Sequence, residues 1–286
     1  MTKDSGSHEP SAVDGTRETH LDRVEGWFGT RSRQWAESYQ TVRRVNDIVL
    51  IDRKSITREF VRRYVPQGGI VLDAGCGAGA AALDLVQSGY RVHGVDIAQE
   101  MIDQSERLFA DAGAPRDKYE FTRTDVLSAD LAPGSFDAVI ALGLLQYQIE
   151  QEPLLERFRD VLRPGGVLVV TGPIRRGLPN YLGAAEMVGL LLRRLGVMAA
   201  IPTEGRTQHR YDLDGFRRLL ERAGFDVLDA RGHGFGDWVG LGRVIGFRGE
   251  LLLHRLLTQA AASTGVGRWG NDLVLAARVP ENASTP

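Results

Sequence analysis

A short apolar run, Ile70-Val71-Leu72, passes directly into Asp73-Ala74-Gly75-Cys76-Gly77-Ala78-Gly79, and apolar residues then recur at helical spacing over 80–86. A strand, a glycine-rich turn and a helix in that order narrow what the chain can become. Glycines let the backbone turn tightly and approach a ligand closely, and the first amides of the helix point at that ligand with the positive end of the helix dipole. The pattern continues along the chain. The apolar run 92–95 ends in Asp96, helical pattern follows over 99–110, and a short strand ends at Phe121 before Thr124-Asp125. Residues 136–142 read as a strand, 153–162 as a helix, and 167–171 as a strand after the turn Arg163-Pro164-Gly165-Gly166. Strands alternating with helices predict an α/β fold with a doubly wound, mostly parallel sheet covered on both faces. A helix over 213–223 and strands near 225–228 and 273–277 bring the strand count to seven, the last two suited to an antiparallel hairpin at the sheet edge.

Composition sets the class around this core. The chain has 286 residues, 43% hydrophobic and 25% charged, which suits one large globular domain with an insertion. A net charge of -2 supplies no general attraction to nucleic acid or to an anionic membrane. The single cysteine, Cys76, forms no internal disulfide and fits a reducing, cytoplasmic setting. Residues 1–20 are polar, lack the apolar stretch of a secretory signal and read as a disordered tail. Residues 21–64 then read as a helical cap carrying Trp27, Phe28, Trp35 and Tyr39, 65–176 as the ligand-binding core, 177–210 as an insertion and 211–280 as the remainder of the core. The longest apolar stretch, 181–201, holds Glu186, Arg193 and Arg194 in its middle, which argues against a membrane span.

In an open α/β sheet the ligand lies beyond the C-terminal ends of the strands. Asp96, 17 residues after Gly79, is placed there to accept from both hydroxyls of a ribose, and Asp125-Val126 to meet an adenine amino group. The glycine turn alone does not choose between cofactors, since Gly75-x-Gly77-x-x-Ala80 also satisfies the dinucleotide fingerprint, and an Asp such as Asp125 is often only a cap. The set is more specific. Across about residues 60–175 the chain resembles the class I, S-adenosylmethionine-dependent methyltransferases. Residues 73–79 resemble their first motif, Gly94-Val95-Asp96-Ile97 the ribose motif, Thr124-Asp125-Val126 the adenine-side motif, and residues 134–139 and 162–166 the fourth and fifth strand motifs. The resemblance implies a Rossmann-like fold and S-adenosylmethionine as cofactor. It places Gly75 and Leu142 at the methionine end, Asp96 on the ribose and Asp125, Val126 and Ile97 around the adenine, with Asp73, Cys76, Gly77, Gly79, Met101 and Gly143 also against the cofactor. The segment from Trp27-Phe28 through Trp35-Ala36 to Tyr39 is similar to the entry helix of quinone- and tetrapyrrole-methylating members, which implies that Tyr39 touches the cofactor carboxylate; packing alone explains its aromatics as well.

Alignment and exclusion of water supply much of the acceleration of an in-line methyl transfer, and a hydroxyl acceptor also needs a base. His209, Tyr147 and His233 are the candidates, against the plainer reading of both histidines as surface or capping residues. His93 lies within a strand and reads as structural, and His8 and His20 lie in or beside the tail. No metal-ligand spacing is present, so no metal is expected, and Cys76 reads as packing rather than as a nucleophile. The stretch 177–201, with basic side chains outnumbering acidic ones around it, reads as a lid over a hydrophobic or anionic acceptor, as a peripheral membrane contact, or as a solvated helical hairpin.

The expected activity is methylation of a small molecule at oxygen, with nitrogen or carbon as alternatives; Asp212 and Asp214 would suit an amine acceptor. A nicotinamide oxidoreductase would need a catalytic Tyr-x-x-x-Lys pair, and the chain has no lysine beyond Lys118. A nucleic-acid methyltransferase would need an Asn-Pro-Pro-Tyr type motif or a basic domain, and neither is present. A cofactor-binding protein without catalysis would not need so complete a motif set. Monomer and homodimer both stay open, and the aromatic, glycine-rich stretch 235–247 suits a dimer contact or a pocket wall.

Overall fold

The computed structural model describes residues 12–40, 45–149, 151–174, 209–235, 241–263 and 270–282. His8, the stretch 177–201 and all but the end of the 177–210 insertion lie outside them.

Among the described residues three helices precede the first strand: α1 (Ala12–Gly29), α2 (Ser32–Gln40) and α3 (Val45–Tyr64). The tail expected over 1–20 is therefore helical from Ala12. Tertiary docking outweighs its polar composition: His20 is buried, and its Nε2 donates to the Tyr147 carbonyl at 2.7 Å. The alternating core follows as β1 (Ile70–Ala74), α4 (Ala80–Gln87), β2 (Arg91–Asp96), α5 (Gln99–Asp111), β3 (Tyr119–Arg123), β4 (Phe136–Ala141), α6 (Glu152–Val161) and β5 (Leu162–Pro173). It ends with α7 (Leu213–Arg222), β6 (Asp226–His233), α8 (Leu241–Ser263) and β7 (Asp272–Arg278).

The seven strands lie in the order β3-β2-β1-β4-β5-β7-β6. β1 to β5 are parallel, and β7 runs antiparallel to both of its neighbours. The expected antiparallel pairing of the last strands is present, with two differences. α8 separates them in sequence, so they are not a hairpin, and β7 sits inside the sheet while β6 forms the edge.

Side chains alternate across the sheet, and both faces are covered. Val71, Val92, Ala138, Ile140, Val167 and Val169 pack with α3, α4 and α5, where Phe60, Leu85 and Phe109 are fully buried or nearly so. Leu72, Val95, Val139, Leu168 and Val170 point the other way, toward Leu155 and Phe158 of α6 and Phe216 and Leu220 of α7. Two buried faces explain why β4 and β5 read as continuous apolar runs. The one buried charge among them is paired: Asp137 accepts from the Ile70 amide at 2.7 Å and meets Arg163, tying β1, β4 and the start of β5 together. Asp212 caps α7, accepting from the Gly215 amide at 2.6 Å. That role lies at an exposed helix start, and neither Asp212 nor Asp214 is among the residues lining the cavity.

The strand order reverses between β1 and β4. A crevice opens beyond their C-terminal ends, where such sheets bind ligands.

Candidate active site

The crevice is a cavity, open to solvent, with about 1170 Å³ of empty space. Its floor is the turn after β1. The Gly75 and Cys76 amides both donate to the Val95 carbonyl, at 2.8 and 3.0 Å, which seats the turn against β2. Gly75 has φ 70°, and a side chain there would press on Leu144, so only glycine keeps this backbone open to the cavity. Gly79, at φ 77°, lies beneath the turn against Ser105 rather than on the cavity wall.

Two carboxylates face the cavity from the strand ends. Asp96 ends β2 and accepts from the Gly77 amide at 2.9 Å with one oxygen and from the Ala98 amide at 3.0 Å with the other. Each oxygen keeps a second lone pair for a hydroxyl. Asp73 is 1% exposed, and its Oδ2 has no partner. Burial, with Asp96 beside it, raises its pKa to about 7, against the opposing bond from the Ala82 amide. Burial also pushes the Cys76 thiol well above its usual range, which leaves it a packing residue and not a thiolate.

Ile97, Met101 and Val126 form an apolar wall, with Asp125 at its edge. α1 crosses the opening above them. Glu25 pairs with Arg123 at 2.7 Å at one end, and His20 meets Tyr147 at the other, while Leu21, Val24 and Phe28 face inward. Trp35 packs 6.1 Å from the Phe28 ring, and both residues line the cavity as well as pack; Trp27 packs against them without lining it. Tyr39 lies in the wall, and its hydroxyl accepts from Arg53 at 2.7 Å.

Arg53 is the main residue the sequence did not disclose. It sits among the surface-like arginines of α3, yet its guanidinium reaches the cavity beside Gly143. Burial opposes its charge, but Tyr39 and Asp272 beside it raise its pKa above the ordinary value. The cavity ends at Leu142, Gly143 and Leu144 and at the turn carrying Gln146, Tyr147 and Gln148. The Gly143 amide donates to Thr171 Oγ1 at 2.7 Å. Neither glutamine stood out in the sequence; the only signal was their position just after β4.

The cofactor residues expected from the sequence thus converge on one cavity, apart from Gly79. Of the three expected bases, Tyr147 does and the two histidines do not. Tyr147 lines the cavity, with its ring 5.5 Å from Phe28. His209 stands behind the wall, with Nε2 bonded to the Gln148 carbonyl at 2.9 Å. A carbonyl only accepts, so this nitrogen carries its proton and is not a free base. His233 is fully buried, neither ring nitrogen has a partner, and burial together with the Arg53 charge lowers its pKa to about 3. It is a neutral core residue rather than a wall of the cavity. His93 is structural as expected, half-buried with Nε2 3.0 Å from Thr122 Oγ1. No group of three or more metal-ligating side chains occurs among the described residues.

Known proteins agree with this geometry. Residues 71–166 match the family model described as a methyltransferase domain. The S-adenosyl-L-methionine-dependent Diels-Alderase iccD of Talaromyces variabilis is 33% identical over 171 residues, 58% of this chain. The chain spans just over half, 56%, of that relative's length. The ubiquinone biosynthesis O-methyltransferase of Methylocella silvestris is 28% identical over 63% of this chain and 73% of its own. Among solved structures, magnesium protoporphyrin IX methyltransferase from Synechocystis PCC 6803, with bound S-adenosylhomocysteine, superposes with TM-score 0.61 over 90% of this chain and 98% of its own, at 17% identity. The sheet order, the cavity and these likenesses support a class I, S-adenosylmethionine-dependent methyltransferase. The family likeness itself covers residues 71–166, about a third of the chain.

Proposed function

We propose that the chain transfers a methyl group from S-adenosylmethionine to an oxygen of a small-molecule acceptor. One observation carries the reading: a single cavity holds the glycine turn, Asp96 and the adenine-side residues at one end and, at the other, the turn of Gln146, Tyr147 and Gln148, which itself carries no charged side chain. The residues fit the cofactor. Asp73 offers a buried carboxylate with an unpartnered oxygen to a cation, Arg53 offers a guanidinium to a carboxylate, and Asp96 keeps lone pairs for two hydroxyls. The bound cofactor supplies a methyl group on a positively charged sulfur. Asp96 then holds the ribose, Ile97, Met101, Asp125 and Val126 frame the adenine, and Arg53 with Tyr39 fixes the carboxylate. α1 and α2 exclude water over the site, and the end of β4 aligns the acceptor, so positioning does most of the work. Tyr147, in the wall after β4, orients the acceptor hydroxyl, whose proton passes to solvent as the oxygen–methyl bond forms and the sulfur–methyl bond breaks. The O-methyltransferase named among the relatives supports oxygen as the acceptor atom.

A second reading is favoured by the Diels-Alderase relative and by that uncharged turn: the cofactor stays intact and shapes the site for a substrate rearrangement. Calorimetric titration with S-adenosylmethionine, S-adenosylhomocysteine and NADH, on wild type and Asp96→Ala, tests the cofactor. Micromolar binding of the first two, lost in the variant, is expected; binding of NADH alone overturns both readings. Transfer of labelled methyl to a panel of phenols, acids, amines and lipids then separates them. Methylated product with stoichiometric S-adenosylhomocysteine supports the first, and substrate conversion without it the second.

A further inference from the structure

The turn after β4 is held from three directions. Residues Leu145–Tyr147 are a single 3-10 turn, yet each carbonyl from Leu145 to Gln148 is engaged. Leu145 O accepts from Gln151 Nε2 at 3.1 Å, and Gln146 O from the His209 amide at 2.9 Å. Tyr147 O accepts from His20 Nε2 at 2.7 Å, and Gln148 O from His209 Nε2 at 2.9 Å. His20 arrives from α1, and His209 from the chain just before α7. With these carbonyls committed outside the cavity, the side chains of Gln146, Tyr147 and Gln148 line it. The Phe28 edge fixes the Tyr147 ring, and among the described residues neither carboxamide has a hydrogen-bond partner in the protein. The charged residues of the cavity wall, Arg53, Asp73, Asp96 and Asp125, all belong to α3 and to the ends of β1, β2 and β3. None lies on this turn.

We propose that Gln146, Tyr147 and Gln148 are the acceptor-reading wall, and that the acceptor is an uncharged molecule with an apolar body bearing hydroxyl or carbonyl groups. The inference rests on the cofactor reading above. A carboxamide both donates and accepts, so two of them flanking a phenol match neutral oxygens of either kind. With Arg53 taken up by the cofactor carboxylate, a carboxylate or ammonium brought against this turn would lose its hydration without gaining an opposite charge from the described residues. Fixed polar groups also discriminate: an analogue that cannot bond them leaves them buried and unpaired.

The test uses three probes of one shape, 2-naphthol, 2-naphthoate and 2-naphthylmethylammonium, titrated at neutral pH into the full-length protein saturated with S-adenosylhomocysteine. 2-Naphthol is expected to bind at least about tenfold more tightly than either charged probe. Gln146→Leu and Gln148→Leu are each expected to weaken it about five- to tenfold, with S-adenosylhomocysteine affinity unchanged within about twofold. Equal or tighter binding of a charged probe, indifference of 2-naphthol to both substitutions, or no binding of any probe overturns the proposal. Failure of S-adenosylhomocysteine to bind in the first titration counts instead against the cofactor reading.

Discussion

Asp73 carries a proton near neutrality because burial and Asp96 raise it to about 7 from an ordinary value of 3.8. The folded protein therefore holds this proton more tightly than the unfolded chain does. The resulting stabilisation is complete below about pH 4 and is lost as the pH rises through about 7. On the proposed placement of the cofactor, its cation beside Asp73 favours the ionised carboxylate, so binding below pH 7 is expected to release that proton. Affinity for S-adenosylmethionine is expected to rise about tenfold from pH 6 to pH 8. Calorimetry at pH 6 in buffers of different ionisation enthalpy would show the proton leaving, and Asp73→Asn would abolish both effects. His209 gives a second residue-scale test, since its side chain donates to the Gln148 carbonyl. His209→Gln keeps a donor and is expected to hold kcat/KM within about threefold, whereas His209→Ala lowers it about tenfold. The pH profile stays the same in both, and loss of one titration in His209→Gln would restore His209 as the base.

At the scale of elements, the cap and the core have separable duties. Phe158 of α6 is fully buried against the sheet. Phe158→Ala is expected to cost about 3–5 kcal/mol in chemical denaturation. Phe28 is half-buried, on α1, and meets the cavity, Trp35 and Tyr147. Phe28→Ala is expected to speed cofactor release about tenfold in stopped-flow fluorescence while costing less than about 1.5 kcal/mol in denaturation. Equal stability losses in the two variants would make α1 part of the folding core rather than a cover. The exposed Glu25–Arg123 pair contributes little to holding that cover, no more than about 1 kcal/mol, so its apolar face and the buried His20 do most of the holding.

For the whole molecule, the cavity joins the N-terminal cap to both halves of the sheet, so a bound cofactor should stabilise the fold as a unit. At a hundredfold excess over Kd the gain is about 2.7 kcal/mol, which raises Tm by roughly 4–5 °C in a chain of this size. Scanning calorimetry should show that shift in wild type and not in Asp96→Ala. The alternation of the core, the glycine turn, Asp73, Asp96 and Asp125 were legible in the sequence, because neighbouring residues impose those features: period sets strand or helix, and the strand end sets where its last carboxylate sits. The composition of residues 12–20 misled, because a polar stretch can still be helical when one end docks. The roles of the histidines were not legible either. His20 and Tyr147 are 127 positions apart, and His209 and Gln148 are 61 apart. His233 and Arg53 carry no local mark of which is sealed in the core and which reaches the cavity. The sequence by itself determined the α/β core and the cofactor end of the site, where chemistry follows from short-range order along the chain. Only the tertiary structure decided the cover, the place of Arg53 in the cavity and the bracing of the turn after β4, because each is made by contacts between segments whose meeting no local pattern encodes.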